Sequence, residues 1–140
     1  MMQTGKDLLL KDICGRLPYR VKVQIKNEIV VLDSICDDDG YHFNFIGDNR
    51  EGVNIENIKP YLFPLSSITE KQEEEFKNLF YRYHESAFIF NERFAYGKYS
   101  IKDIGFYPCY LQDWLLKNHF DIYGLIPMGL ANDATGLNIY

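Results

Sequence analysis

The sequence predicts an α+β domain: an antiparallel β-meander or small barrel of three to four strands over about 19–55, packed with an N-terminal helix and two later helices over about 69–84 and 108–118. Three observations carry that expectation. Apolar residues recur at helical spacing up to Leu17 and then alternate strictly from Tyr19 to Ile25. Clusters of Asp, Asn and Gly punctuate the alternating region at short intervals. From Thr69 onward the helical period returns twice, each time behind a start signal.

The first helix is expected over 5–16, with Leu9, Leu10, Ile13 and Leu17 as a narrow apolar stripe and Gly15 with Pro18 as the stop. Tyr19, Val21, Val23 and Ile25 then face one way and Arg20, Lys22, Gln24 and Lys26 the other, which reads as a strand with one wet face. Asn27-Glu28 is the expected turn into a second strand, Ile29 to Ile35. Asp37-Asp38-Asp39-Gly40 turns the chain into a third, where Tyr41, Phe43 and Phe45 alternate with His42 and Asn44. A short fourth strand is expected near Val53 to Ile55, and Lys59 to Leu65, held between two prolines, as an extended connector across the sheet edge. Thr69 and Gln72 stand at capping-box positions ahead of Phe76, Leu79, Phe80 and Tyr83, the apolar stripe of the clearest helix. Ala87 to Phe90 reads as a brief strand. Pro108 opens the last helix, with Leu111, Trp114 and Leu115 as its core face. The glycines and proline of 124–131 point to a buried irregular tail.

A chain of 140 residues supports one domain, with a β-rich part over about 19–65 and a helical part over about 66–140. Its formal charge of −5 argues against a general nucleic-acid binder, which needs a basic surplus to release counterions. Cys14, Cys36 and Cys109 are odd in number and widely spaced, which argues against a disulfide framework and a zinc knuckle. Cys14, beside Ile13, is expected to act as a small buried hydrophobe. Leu8-Leu9-Leu10 is too short for a signal sequence or a membrane span, so a cytoplasmic protein is expected.

Chemistry-bearing patterns are sparse. His42, His84 and His119 fall on separate predicted elements without metal-ligand spacing, and no metal or cofactor is expected. His119 and Asp121 form the one catalytic candidate, because a carboxylate two residues away can orient an imidazole; a histidine capping a helix end explains the same residues structurally. The triple aspartate lacks the alternating acids and final glutamate of a calcium loop. Ser66-Ser67 spells a helix start, not a nucleophile elbow. The aromatic fraction of 16% is the compositional excess, half of it tyrosine. Tyr107, Tyr110 and Tyr123, close to Trp114, are the candidate binding residues, with core filling as the alternative. Arg20, Lys22 and Lys26 are the candidate contacts for nucleic acid if their strand face is basic.

Three stretches carry a resemblance: Asp12 to Tyr19; Ile58 to Thr69, reading IKPYLFPLSSIT; and Trp114 to Ala131, with WLLKNHFD and GLIPMGLA. Together they resemble an uncharacterised family of small proteins of gut anaerobic bacteria and their phages or prophages. The resemblance implies a cytoplasmic protein carried by a mobile element, and it transfers no activity or site residues. The lack of a catalytic constellation, together with the tyrosine-rich, mildly acidic composition, makes the expected function a non-enzymatic protein that binds a host or phage protein. A nucleic-acid-associated module using the basic strand face is the alternative, and an enzyme built on His119 and Asp121 is the third.

Overall fold

A computed structural model describes residues 4–37, 40–48, 50, 53–83 and 109–140. Among them, helices α1 (Gly5–Arg16), α2 (Glu70–Tyr83) and α3 (Cys109–Lys117) accompany an open five-stranded sheet. Its strands are β1 (Lys22–Ile25), β2 (Glu28–Asp37), β3 (Tyr41–Phe45), β4 (Lys59–Leu62) and β5 (Asn132–Asp133), in the spatial order β3-β2-β1-β4-β5. All pairings are antiparallel except β4 with β5. The architecture is α+β with an N-terminal helix, and the sheet is open, not barrel-like.

Local chemistry accounts for the element ends. The Thr4 hydroxyl caps α1 by accepting from Asp7 N at 3.1 Å. Thr69 and Gln72 form the expected capping box on α2, with Gln72 N donating to the Thr69 hydroxyl and Thr69 N donating to the Gln72 amide oxygen. At the end of α3, His119 N bonds Leu116 O and Phe120 N bonds Leu115 O, both at 3.0 Å. That bonding pattern is a Schellman termination, and it puts His119 in the left-handed region at φ 64°.

Several local expectations change. The first strand, expected from Tyr19, begins at Lys22 after a 3-10 turn over Leu17–Tyr19. The tail expected to be buried over 124–131 exposes Pro127, Met128 and Gly129. The first hairpin turns at Lys26-Asn27, since Ile25 pairs with Glu28. Val53 makes only an isolated bridge to Phe43, and Ile55–Asn57 is a 3-10 turn where a fourth meander strand was expected. The proline-flanked connector supplies β4, which lies inside the sheet. Leu62 O accepts from Ala134 N, so even-numbered backbone groups of β4 face β5. Pro60 shares that parity but precedes the paired residues Tyr61 and Leu62, so its missing N–H breaks no ladder bond. Cys14 is exposed, because α1 buries Leu9, Asp12, Ile13 and Arg16.

Two apolar clusters hold these elements. One face of the sheet, with Val23, Ile25, Leu32, Phe43, Phe45 and Leu62, packs against Leu9 and Ile13 of α1 and against Leu125. The second joins Phe76 of α2 to Leu111, Trp114, Leu115 and Leu116 of α3 and to Phe120 and Ile122 beyond it. Tyr123 packs against both. Helix α1 approaches α3 so closely that a Cβ on Gly15 would stand 3.3 Å from a Leu116 methyl. The expected strand at 87–90 lies outside the described residues.

Candidate functional site

Among the described residues, the buried polar side chains Asp12, Arg16 and Asp121 gather where α1 meets the end of α3, close to the start of β1. Asp12 and Arg16 stand one helical turn apart on the face of α1 that also carries Leu9 and Ile13. Both are essentially removed from solvent, at 1% and 0% exposure. The guanidinium grips the carboxylate bidentately, Nε to Oδ2 at 2.7 Å and Nη2 to Oδ1 at 2.8 Å. Nη2 also donates to Phe120 O at 2.5 Å, tying α1 to the segment after α3. Nη1 is buried without a protein partner. Burial, with a smaller push from the Asp121 charge, leaves the Asp12 carboxyl above its usual range despite the opposing charge and hydrogen bonds of Arg16.

His119 and Asp121 flank that carbonyl, yet they do not form the expected pair. Phe63 N donates to His119 O and Asp121 N to Phe63 O, each at 2.8 Å, which fixes both backbones against Phe63. The Asp121 carboxylate turns away to accept from Leu125 N at 2.9 Å and Ile126 N at 3.0 Å, closing the turn after it. His119 keeps a buried Nδ1 without a partner. Burial, with the charges of Arg16 and Lys22 adding to it, lowers the imidazole to a pKa of about 4, so it is neutral at pH 7. Its ring stacks on Tyr140, with centroids 3.6 Å apart and planes 14° apart.

Tyr140 completes the cluster. The register Gln24↔Lys59 and Val23↔Pro60 brings Lys22 and Tyr61 opposite each other, where β1 and β4 begin to separate. The Tyr140 hydroxyl occupies that gap, accepting from Lys22 N at 2.8 Å and donating to Tyr61 O at 2.8 Å. A side chain thus supplies the next rung of the ladder. The Lys22 ammonium bonds Ile139 O and lies 5.6 Å from the Tyr140 ring centroid. Burial raises the Tyr140 hydroxyl to a pKa of about 12, against smaller opposing effects of Lys22 and Arg16, so it retains its proton as a donor.

The other sequence candidates lie apart. Lys22 is engaged with the 139–140 segment, while Arg20 and Lys26 sit in left-handed backbone before and after β1, both exposed. Tyr123 is half-buried between the two cores, with the Lys11 ammonium 5.3 Å from its ring centroid. Trp114 is buried, stacks on Phe120 and donates from Nε1 to Glu75 at 3.0 Å. Tyr107 and the Tyr110 side chain lie outside the described residues. Among the described residues, no group of three His, Cys, Asp or Glu side chains is placed to hold a metal ion, and no helix is long and apolar enough to cross a membrane.

Sequence reasoning missed the Asp12–Arg16 pair and Tyr140. The pair had a local signal, since both charges fall at i+3 from Leu9 and Ile13 on the apolar stripe. Tyr140 had none, because its partners lie 79 and 118 residues away.

No family model matches the chain, and no curated protein or solved structure does either.

Proposed function

We propose that this chain is a small cytoplasmic protein-interaction module of phage or other mobile-element origin, with no catalytic role of its own. The observation that supports this reading is the outer face of the β1–β2–β3 meander. Ile29 and Val31 alternate away from the core-facing Leu32, and Ile46 N bonds Val31 O, so Ile46 joins them on one face. Ile29 is 49% and Ile46 42% exposed, and Val31 is half-buried. Adjoining exposed aliphatic side chains on a sheet face are a feature of protein-binding surfaces. The polar groups with catalytic potential are meanwhile committed to architecture: Asp121 closes a turn, Arg16 neutralises Asp12, and His119 ends a helix. Cys14 and Cys36 are free and exposed, which suits a reducing compartment.

The test is affinity capture from the native lysate with the wild type and with Ile46→Asp, after both are shown to melt alike. The expected result is a defined protein retained by the wild type and lost from I46D. Equal retention by both, or no retained protein alongside turnover of a substrate by the purified chain, overturns the reading.

A further inference from the structure

We propose that the notch between β1 and β4 recognises the free phenol of a tyrosine on an extended partner segment, and that Tyr140 fills it from the same chain as a built-in competitor. The notch is defined by complementary groups. Lys22 N offers a donor and Tyr61 O an acceptor, each 2.8 Å from one hydroxyl. Only a group that accepts and donates at the same atom satisfies both, which a phenol does and a phenyl ring does not. A phosphorylated tyrosine is excluded as well, since its ester oxygen has no proton for Tyr61 O. The neutral imidazole of His119 forms the floor, stacked at 3.6 Å, and the Lys22 ammonium covers the ring. Backbone recognition is present too, because the same ammonium bonds the carbonyl of the residue before the tyrosine. Nδ1 of the His119 ring is buried without a hydrogen-bond partner, as is Nη1 of Arg16.

Residues 139–140 are held by Lys22, Tyr61, His119 and Phe63, while the bonds made by Thr135 N to Asp133 Oδ1 and by Leu137 N to Ala134 O are local to the turn before them. Thr135, Gly136, Leu137 and Asn138 are all exposed, and two of them turn the chain through left-handed backbone, Gly136 at φ 80° and Asn138 at φ 53°. The body of the protein is secured upstream, where Ala134 is buried and bonds Leu62 O. Release of residues 135–140 gives up those two local bonds and the contacts of residues 139–140 but not the Ala134 N–Leu62 O bond, and it leaves the notch formed by groups of β1, β4 and the α3 terminus. A tethered ligand of this length competes at a high effective concentration, so a partner segment binds weakly until the tether leaves.

The proposal deepens the protein-interaction reading but uses different residues, and Ile46→Asp is expected to leave it unchanged, so the two fail separately. The experiment measures binding of the acetylated, amidated peptide Leu-Asn-Ile-Tyr, and of its Phe and phosphotyrosine versions, to the wild type, Tyr140→Phe and Tyr140→Ala by calorimetry or fluorescence anisotropy. Y140A is expected to bind the tyrosine peptide about tenfold or more tighter than the wild type, with Y140F between them. The Phe and phosphotyrosine peptides are expected to bind Y140A about tenfold or more weakly than the tyrosine peptide. Equal affinity of the three proteins, equal affinity of the three peptides, or a Y140A variant that binds no tyrosine peptide at all overturns the proposal. Should Y140A not fold, the ratio of Y140F to wild type reads the same competition.

Discussion

Replacing Arg16 with methionine keeps the packing volume of a long side chain and removes the charge that neutralises Asp12. The structure sets the size of the effect. Asp12 loses two hydrogen bonds to a guanidinium in a site closed to water, and Phe120 O loses its bond to Nη2. An uncompensated buried carboxylate escapes by taking up a proton. Doing so at pH 7 costs a carboxyl of ordinary pKa 3.8 about 4.4 kcal/mol, at about 1.36 kcal/mol per pH unit, which caps the charge penalty. The unpaired carbonyl adds about 1 kcal/mol, so R16M is expected to lose up to about 5.4 kcal/mol of a total that for a domain of this kind is about 5–15 kcal/mol. In R16M the folded Asp12 titrates well above the unfolded one, so the folded state holds a proton the unfolded state has released. The deficit then shrinks as pH falls, by at most about 2.7 kcal/mol between pH 7 and pH 5. Urea denaturation of wild type, R16M and the double variant Asp12→Leu/Arg16→Met at both pH values measures it. The double variant is expected within about 2 kcal/mol of the wild type, because it leaves no buried charge. An R16M deficit under about 1 kcal/mol at pH 7, or one that does not shrink at pH 5, refutes the reasoning.

Two further outcomes are expected from the backbone and from His119. Lys26 turns the first hairpin at φ 55°, a conformation that costs a non-glycine residue about 1 kcal/mol, so Lys26→Gly is expected to raise stability by about 0.5–1 kcal/mol in the same assay, and a loss would contradict the strained turn. His119 titrates at about 4 in the folded protein against an ordinary 6.5, so the unfolded chain takes up its proton first. Its contribution is intact above pH 6.5 and declines as pH falls to about 4, by at most about 3 kcal/mol for a part-exposed ring. The difference in stability between wild type and His119→Asn is expected to shrink over that window; a difference independent of pH would show that the imidazole is not held neutral by its site.

Much of the architecture was legible because its causes are local. The Thr69–Gln72 capping box, the period of α1 and the alternation of β1 are each set by residues within a turn or two of one another, so the sequence displays the interaction itself. Expectations failed where a partner far along the chain intervened. Pro60 argues for an edge connector when read alone, and it sits inside the sheet because its missing donor falls just before the pairing with β5 begins. Cys14 looks buried beside Ile13, until the orientation of α1 places Asp12 and Arg16 inward. His119 and Asp121 look like a pair at i+2, but a left-handed helix end at one and a turn at the other send their side chains to different partners.

By itself the sequence determined the class of fold, the helices and the meander, because periodicity records which side of each element must leave water. Tertiary structure alone decided which polar groups were buried together. Arg16 and Lys22, Tyr61, His119 and Phe120, and Tyr140 come from four stretches far apart along the chain, and their geometry depends on how α1, α3 and the sheet pack. Hydrogen bonds and ring stacking act over a few ångströms, and no local pattern of residues encodes a distance across the fold. The aromatic excess reflects this division: composition disclosed it, while packing placed Phe43, Phe76 and Trp114 in the two cores and left the Tyr140 hydroxyl between two strands.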